Sequence, residues 1–338
     1  MRNILLLCLL TCLLSALRAQ KPEVLVITTG GTIASQTNAA LIEGNALIQA
    51  VPQLLDYADV EVFEIFRTGS SKMTPDNWLL LLKYIDSVAL ARPELSCIVI
   101  THGTDTMEET AFFLNLTHKH SLPVVLTGSM RSSNEVSADG PANLIQAVRT
   151  GIHPESRGKG VLVVLNENIS SGSDLIKMHN RRADTFGPGQ NGYLGFVAPD
   201  TIIYYRNPLK PHTIQTPFDV RMADRLPKVD MVADYAGFDE SILEYFYSRD
   251  NQGLVVSTFA GGRISGGMTA GLRQNSGASK PVVLASGIKS GWISGNYSKE
   301  RPFVIANDLP PNKARILLML ALLQTKDEQK IQHFFRIF

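Results

Sequence analysis

The chain has 338 residues, 44% of them hydrophobic, enough apolar surface for one large or two medium domains. Its 32 basic and 31 acidic residues leave a formal charge of +1, so no excess of positive charge argues for nucleic acid or an anionic membrane surface. The balance points to a small-molecule substrate or a protein partner.

At the start, Met1-Arg2-Asn3 is a short positive segment. It leads into an apolar run from Ile4 to Leu17, broken only by Cys8, Thr11, Cys12 and Ser15. With Ala19 as a small residue at the end, this predicts a secretory signal peptide over residues 1–19, cleaved after Ala19 and too short for a membrane span. Cleavage leaves Cys97 as the one cysteine, so no internal disulfide is expected. Cys97 precedes Ile98-Val99-Ile100 and reads as a small core residue on a buried strand rather than a nucleophile. The sequence has no CxxC, no HExxH and no ligand-spaced cluster, and no metal or other cofactor is expected.

Val24 to Thr28, Ile98 to Thr101, Pro123 to Thr127 and Gly160 to Leu165 are apolar with little alternation, as in parallel strands covered on both faces. Between them Asn77 to Leu90, Thr106 to Leu116 and Pro141 to Thr150 carry helical periodicity, the last opened by Asp139-Gly140-Pro141. The alternation predicts an α/β protein whose larger N-terminal domain, residues 20–205, is a doubly wound, mostly parallel sheet. Residues 206–227 are punctuated by proline and read as a linker. Beyond it, strands at Lys228 to Met231, Gly253 to Thr258 and Pro281 to Ala285, with helices at Ser241 to Tyr247 and Asn312 to Leu323, predict a smaller C-terminal α/β domain over 228–338. The glycine-rich Gly261 to Gly267 reads as a flexible loop.

Two segments carry the candidate chemistry. Thr28-Thr29-Gly30-Gly31-Thr32-Ile33-Ala34-Ser35 follows the first strand, and Thr101-His102-Gly103-Thr104-Asp105-Thr106-Met107-Glu108-Glu109 joins another strand to a helix. Both lie at carboxyl ends of parallel strands, where open α/β sheets bind ligands. Glycine there lets the backbone turn and leaves amide groups exposed to hold a developing oxyanion. A threonine hydroxyl becomes a useful nucleophile when a base takes its proton, and a lysine oriented by a carboxylate can be that base. Thr104-Asp105 supplies two members of such a group.

These two segments resemble the paired signatures of the bacterial asparaginase family. The resemblance continues through Ala50-Val51-Pro52-Gln53-Leu54, Gly128-Ser129-Met130-Arg131, Ser137-Ala138-Asp139-Gly140-Pro141, Thr216-Pro217-Phe218-Asp219-Val220 and Lys313-Ala314-Arg315. It implies hydrolysis of L-asparagine to L-aspartate and ammonia, with Thr32 as nucleophile and Thr104, Asp105 and Lys177 as a second catalytic group. Lys177 is placed by Gly172-Ser173-Asp174 and Thr185-Phe186 around it. Ser70, Ser71, Gly103, Thr104 and Asp105 are the implied substrate contacts, Ser70 for the α-carboxylate and Asp105 for the α-amino group. The resemblance also implies a homotetramer built from close dimers, with sites completed across the dimer, and the export signal fits the periplasmic type II branch. The alternatives are a glutaminase-asparaginase, a hydrolase of another small amide, or a non-catalytic amino-acid-binding relative.

Three positions depart from the family pattern. Gln36 to Gln49 contains no tyrosine where the family's lid brings one to the nucleophile. Ser71 replaces a glutamine. The segment Ser286 to Trp292 differs from the family's arginine-rich pattern, with Tyr297 nearby as a substitute across the interface. Without the resemblance, Thr32 reads as a turn residue, Asp105 as a helix N-cap, and Lys177 as a solvated surface charge. His102 can be read as a general base, but the resemblance, whose chemistry does not use it, implies a structural role. Glu108 and Glu109 are expected to be helix-surface charges, and Trp78 and Trp292 to be packing residues.

Overall fold

A computed structural model describes residues 21–30, 49–275, 280–293 and 303–338. Thr32, Tyr297, the signal segment and nearly all of the lid segment Gln36 to Gln49 lie outside the described residues.

The N-terminal domain begins with β1 (Glu23–Thr28), β2 (Asp59–Glu64), α1 (Pro75–Ala91), β3 (Cys97–Thr101), α2 (Met107–Thr117), β4 (Val124–Thr127), α3 (Gly140–Ile152) and β5 (Val161–Leu165). Three short strands and a pair of two-residue strands follow: β6 (Asn168–Ser171), β7 (Ile176–Lys177), β8 (Phe186–Gly187), β9 (Gly195–Val197) and β10 (Ile202–Tyr204). An eight-stranded sheet runs in the order β10-β9-β6-β5-β4-β3-β1-β2. From β2 to β5 neighbouring strands are parallel, and from β5 to β10 they are antiparallel. The predicted apolar runs form the four central strands, which are almost wholly buried because helices cover both faces.

Alternate residues of each strand serve opposite faces. Leu25, Ile27, Ile98 and Ile100 join the core under α1 and α2, whereas Val24, Val26, Cys97 and Val99 pack with Leu144, Ala147 and Val148 of α3. Cys97 is fully buried and desolvation pushes its thiol up to about 12, the reverse of an activated nucleophile. α1 starts at a capping box in which Thr74 and Asn77 satisfy each other's backbone N–H groups.

The smaller C-terminal domain holds β11 (Val229–Ala233), α4 (Ser241–Ser248), β12 (Gly253–Thr258), α5 (Gly266–Gln274), β13 (Val282–Ser286), β14 (Val304–Ile305), α6 (Pro311–Leu322) and α7 (Glu328–Ile337). Its strands form a parallel sheet in the order β11-β12-β13-β14. α6 is buried along nearly its whole length and its residues share one core with α2 and the large sheet.

One reading needs correction. Gly261 to Gly267 is not a plain flexible loop: α5 begins at Gly266, with the Ser265 hydroxyl accepting from the Met268 amide at 3.1 Å. Gly267 is required by close approach, since a Cβ there would lie 1.9 Å from the Phe238 carbonyl oxygen. The proline-punctuated stretch 206–227 is packed, with Phe218 and Val220 buried in the main core. The Lys119 ammonium donates to the carbonyls of Thr213 and Thr216 at 2.7 and 2.8 Å.

Strand order fixes where a ligand can sit. From β1 the chain crosses to β2 on one side, and from β3 it proceeds to β4 and β5 on the other. The crevice between the carboxyl ends of β1 and β3 is therefore the topological switch point.

Candidate active site

β1 and β3 are neighbours with Thr28 opposite Thr101, so the two signature segments leave the sheet side by side. The Thr29 amide and hydroxyl both donate to the Thr101 carbonyl, at 3.2 and 2.9 Å. Gly30 has φ +93°, and a Cβ there would lie 2.6 Å from the Thr68 carbonyl oxygen, so glycine meets both a backbone and a packing demand.

Past β3, the turn into α2 presents Thr104 and Asp105. The Lys177 ammonium donates to Thr104 Oγ1 at 3.0 Å and to Asp105 Oδ1 at 2.9 Å. Thr104 is buried, while the Asp105 side chain is 64% exposed against 19% for Lys177. The three groups thus form a compact hydroxyl–ammonium–carboxylate set, open to solvent on its carboxylate side. Asp105 is not the N-cap of α2. That place belongs to Thr106, and the carboxylate turns to Lys177 instead.

Ser70 closes another side. Its hydroxyl accepts from the Asp105 amide at 3.1 Å, and its carbonyl accepts from Thr106 Oγ1 at 2.8 Å. Ser71 stands next to it in the same short turn, with its side chain exposed. Ser70, Thr104, Asp105 and Lys177 are therefore brought together, whereas Ser71 faces solvent and Thr32 lies outside the described residues.

Gly103 contributes its carbonyl to His102. The Trp78 indole, which can only donate, gives its proton to Thr110 Oγ1 at 3.0 Å. Thr110 in turn donates to His102 Nε2 at 2.9 Å, and His102 Nδ1–H donates to the Gly103 carbonyl at 2.7 Å. Both ring nitrogens are committed, so His102 supports the turn and is not a free base. Complete burial brings its pKa down to about 4. The folded value lies below the ordinary 6.5, so the unfolded chain takes up the proton first and stability is lost as pH falls from 6.5 towards 4. Between pH 7 and pH 5 this residue is expected to remove about 2 kcal/mol of stability. Urea midpoints at the two pH values measure it together with the like contribution of His118, whose burial also brings its pKa down to about 4, and an unchanged midpoint contradicts neutral buried imidazoles.

Glu108 is not a helix-surface charge. Its carboxylate accepts from the Lys177 backbone amide at 2.7 Å and from Asn312 Nδ2 at 2.6 Å. Burial is the main influence on Glu109, raising its pKa against the opposing charge of Arg315. Trp78 is buried, as expected of a packing residue, but Trp292 is 59% exposed. Among the described residues no group of three or more His, Cys, Asp or Glu is arranged to hold a metal ion.

Residues 23–210 match the family model described as "Asparaginase, N-terminal", and residues 228–335 match that described as "Glutaminase/Asparaginase C-terminal domain". The chain belongs to the asparaginase family. It is 38% identical to L-asparaginase 2 of Escherichia coli strain K12, covering 93% of this chain and 92% of that one. It is 37% identical to a probable periplasmic L-asparaginase of Haemophilus influenzae, covering 95% and 94%. The crystal structure of a probable cytoplasmic L-asparaginase from Campylobacter jejuni superposes with a TM-score of 0.90 at 39% identity, covering 94% of this chain and all of that one. The asparaginase architecture of a large N-terminal sheet domain and a smaller parallel-sheet domain is thus shared in sequence and in three dimensions.

Proposed function

We propose that the protein hydrolyses the side-chain amide of L-asparagine, with Thr32 as nucleophile and Thr104, Lys177 and Asp105 as the group that moves protons. The observation that carries this reading is the Lys177 nitrogen, held between the Thr104 hydroxyl and the Asp105 carboxylate at 3.0 and 2.9 Å. Thr32 follows Gly30 by two residues in the chain. Gly30 itself is anchored beside the end of β3.

In the first step the Thr32 oxygen attacks the amide carbon, and its proton passes through Thr104 to Lys177 acting as an amine. The C–N bond breaks as that proton goes to the leaving nitrogen, releasing ammonia and leaving an aspartyl ester on Thr32. Water then attacks the ester, gives up one proton by the same route, and the Thr32 oxygen leaves with it to free aspartate. The exposed Asp105 carboxylate is suited to a substrate ammonium. The Ser70 hydroxyl accepts from a backbone amide, and its own proton suits a substrate carboxylate.

Ammonia and aspartate release from L-asparagine tests the reading, with L-glutamine measured alongside. Equimolar release of both products is expected. Calorimetric binding of asparagine with no product identifies a non-catalytic relative and rejects the proposal, and faster release from glutamine assigns the glutaminase-asparaginase reading suggested by the description of the C-terminal family. Export after removal of residues 1–19 and assembly into a homotetramer as a dimer of dimers belong to the same proposal. A mature N-terminus at Gln20 in the periplasmic fraction and a tetrameric mass by sedimentation are the expected results. Retention of residues 1–19 or a stable monomer contradicts them.

A further inference from the structure

Lys177 lies on β7, a two-residue strand that pairs with β8 and stands apart from the large sheet. Both polar groups of its backbone are held by side chains. The amide donates to Glu108 Oε2 at 2.7 Å, and the carbonyl accepts from the Lys289 ammonium. Glu108 is itself oriented from the C-terminal domain, because its other oxygen accepts from Asn312 Nδ2 at 2.6 Å in the first turn of α6. The next residue, Lys313, is 1% exposed and donates from its ammonium to the carbonyls of Ser173 and Leu175, both at 2.7 Å. Those carbonyls belong to the segment that leads directly into Lys177. Asn312 also accepts from the Lys313 amide at 3.0 Å, which fixes its own side chain.

Glu108 sits in the first turn of the helix whose preceding turn presents Thr104 and Asp105. One rigid helix start therefore places the hydroxyl and the carboxylate and also grips the backbone of the lysine that must reach them. The Lys313 ammonium, brought down to about 8 by burial against the pull of Glu108 and Asp174, is tightly held in this packing.

We propose that Glu108 is a positioning residue for Lys177, and that Asn312 and Lys313 of α6 hold the contact, so that the C-terminal domain sets the place of the proposed proton carrier. This inference rests on the reading of Lys177 given above.

The charge pattern allows a swap. Glutamine at 108 has one acceptor oxygen for two donors, so Glu108→Gln loses either the Lys177 amide or Asn312. Adding Asn312→Asp restores both contacts, since the new amide can donate to the aspartate while its oxygen accepts from Lys177. Glu108→Gln is expected to lower kcat about 10- to 100-fold with KM changed by less than about twofold, as for a reacting group displaced by a fraction of an ångström. Glu108→Gln with Asn312→Asp regains most of that loss. Asn312→Ala, which removes only the outer contact, gives a loss of about 3- to 10-fold.

The second readout is the pH profile of Lys177 acetylation by acetic anhydride, measured by peptide mass. It shifts in Glu108→Gln and returns in the double variant. A Glu108→Gln protein that melts earlier but keeps the wild-type kcat and labelling profile overturns the proposal and leaves Glu108 as a tie between domains. Full turnover by Lys177→Met rejects the proton-carrier reading instead, while the labelling profile continues to report on positioning.

Discussion

Thr32→Val is expected to lower kcat for asparagine hydrolysis by a factor of about 10⁴ or more, with thermal stability close to that of the parent protein. Valine matches threonine in shape and removes only the hydroxyl, so what is lost is the atom proposed to form the ester. Binding should survive better than turnover, because Ser70 and Asp105, the proposed contacts for the substrate carboxylate and ammonium, remain. The end of β1 is held independently of that hydroxyl: Thr29 is bonded to Thr101, and Gly30 lies against Thr68. Parallel steady-state and binding measurements separate the two effects. A Thr32→Val protein with wild-type turnover removes Thr32 from the chemistry.

The second large effect concerns the proton path. Lys177→Met keeps most of the side-chain volume and removes the amine, and Thr104→Val removes the hydroxyl it contacts at 3.0 Å. Each is expected to reduce kcat about 10²- to 10⁴-fold, the usual range for general acid–base groups. The two losses should not multiply. If Thr104 and Lys177 act as one relay, the double variant is about as impaired as the worse single one. Losses that multiply indicate two separate roles. Removing the ammonium also leaves the Asp105 carboxylate without its 2.9 Å partner. That carboxylate is exposed, so the stability cost should be within about 1 kcal/mol.

The elements with the strongest apolar runs were legible from sequence because burial on both faces of a parallel sheet leaves a direct compositional mark. The central strands β1, β3, β4 and β5 and the helices α1, α2 and α3 fall where periodicity places them. The short strands β7, β9, β10 and β14 carry no such mark, and α7 is a ten-residue amphipathic helix after a polar break. α5 was hidden by Gly266 and Gly267, which read as flexibility but meet a packing demand from Phe238.

At the site, Thr104 and Asp105 were visible together in one motif, whereas Lys177 sits 72 residues beyond Asp105 and only resemblance placed it there. Glu108 was visible but misread. Two acidic residues in a first helical turn have a sufficient local explanation in the helix dipole, and nothing local says that one of them holds a distant backbone amide. Asn312 and Lys313, 204 residues beyond Glu108 in the first case, give no signal of this tie until the two domains are packed together. The sequence clue that did exist was Lys313 itself, a lysine within an apolar helical pattern, where a buried charge requires partners.

The most direct test of the central claim is peptide mapping of the wild-type protein acid-quenched during turnover of L-asparagine. An aspartyl ester on Thr32 is the predicted result, absent from the Thr32→Val protein. An ester on another residue such as Thr104, or none in any quenched sample while ammonia is steadily released, contradicts it.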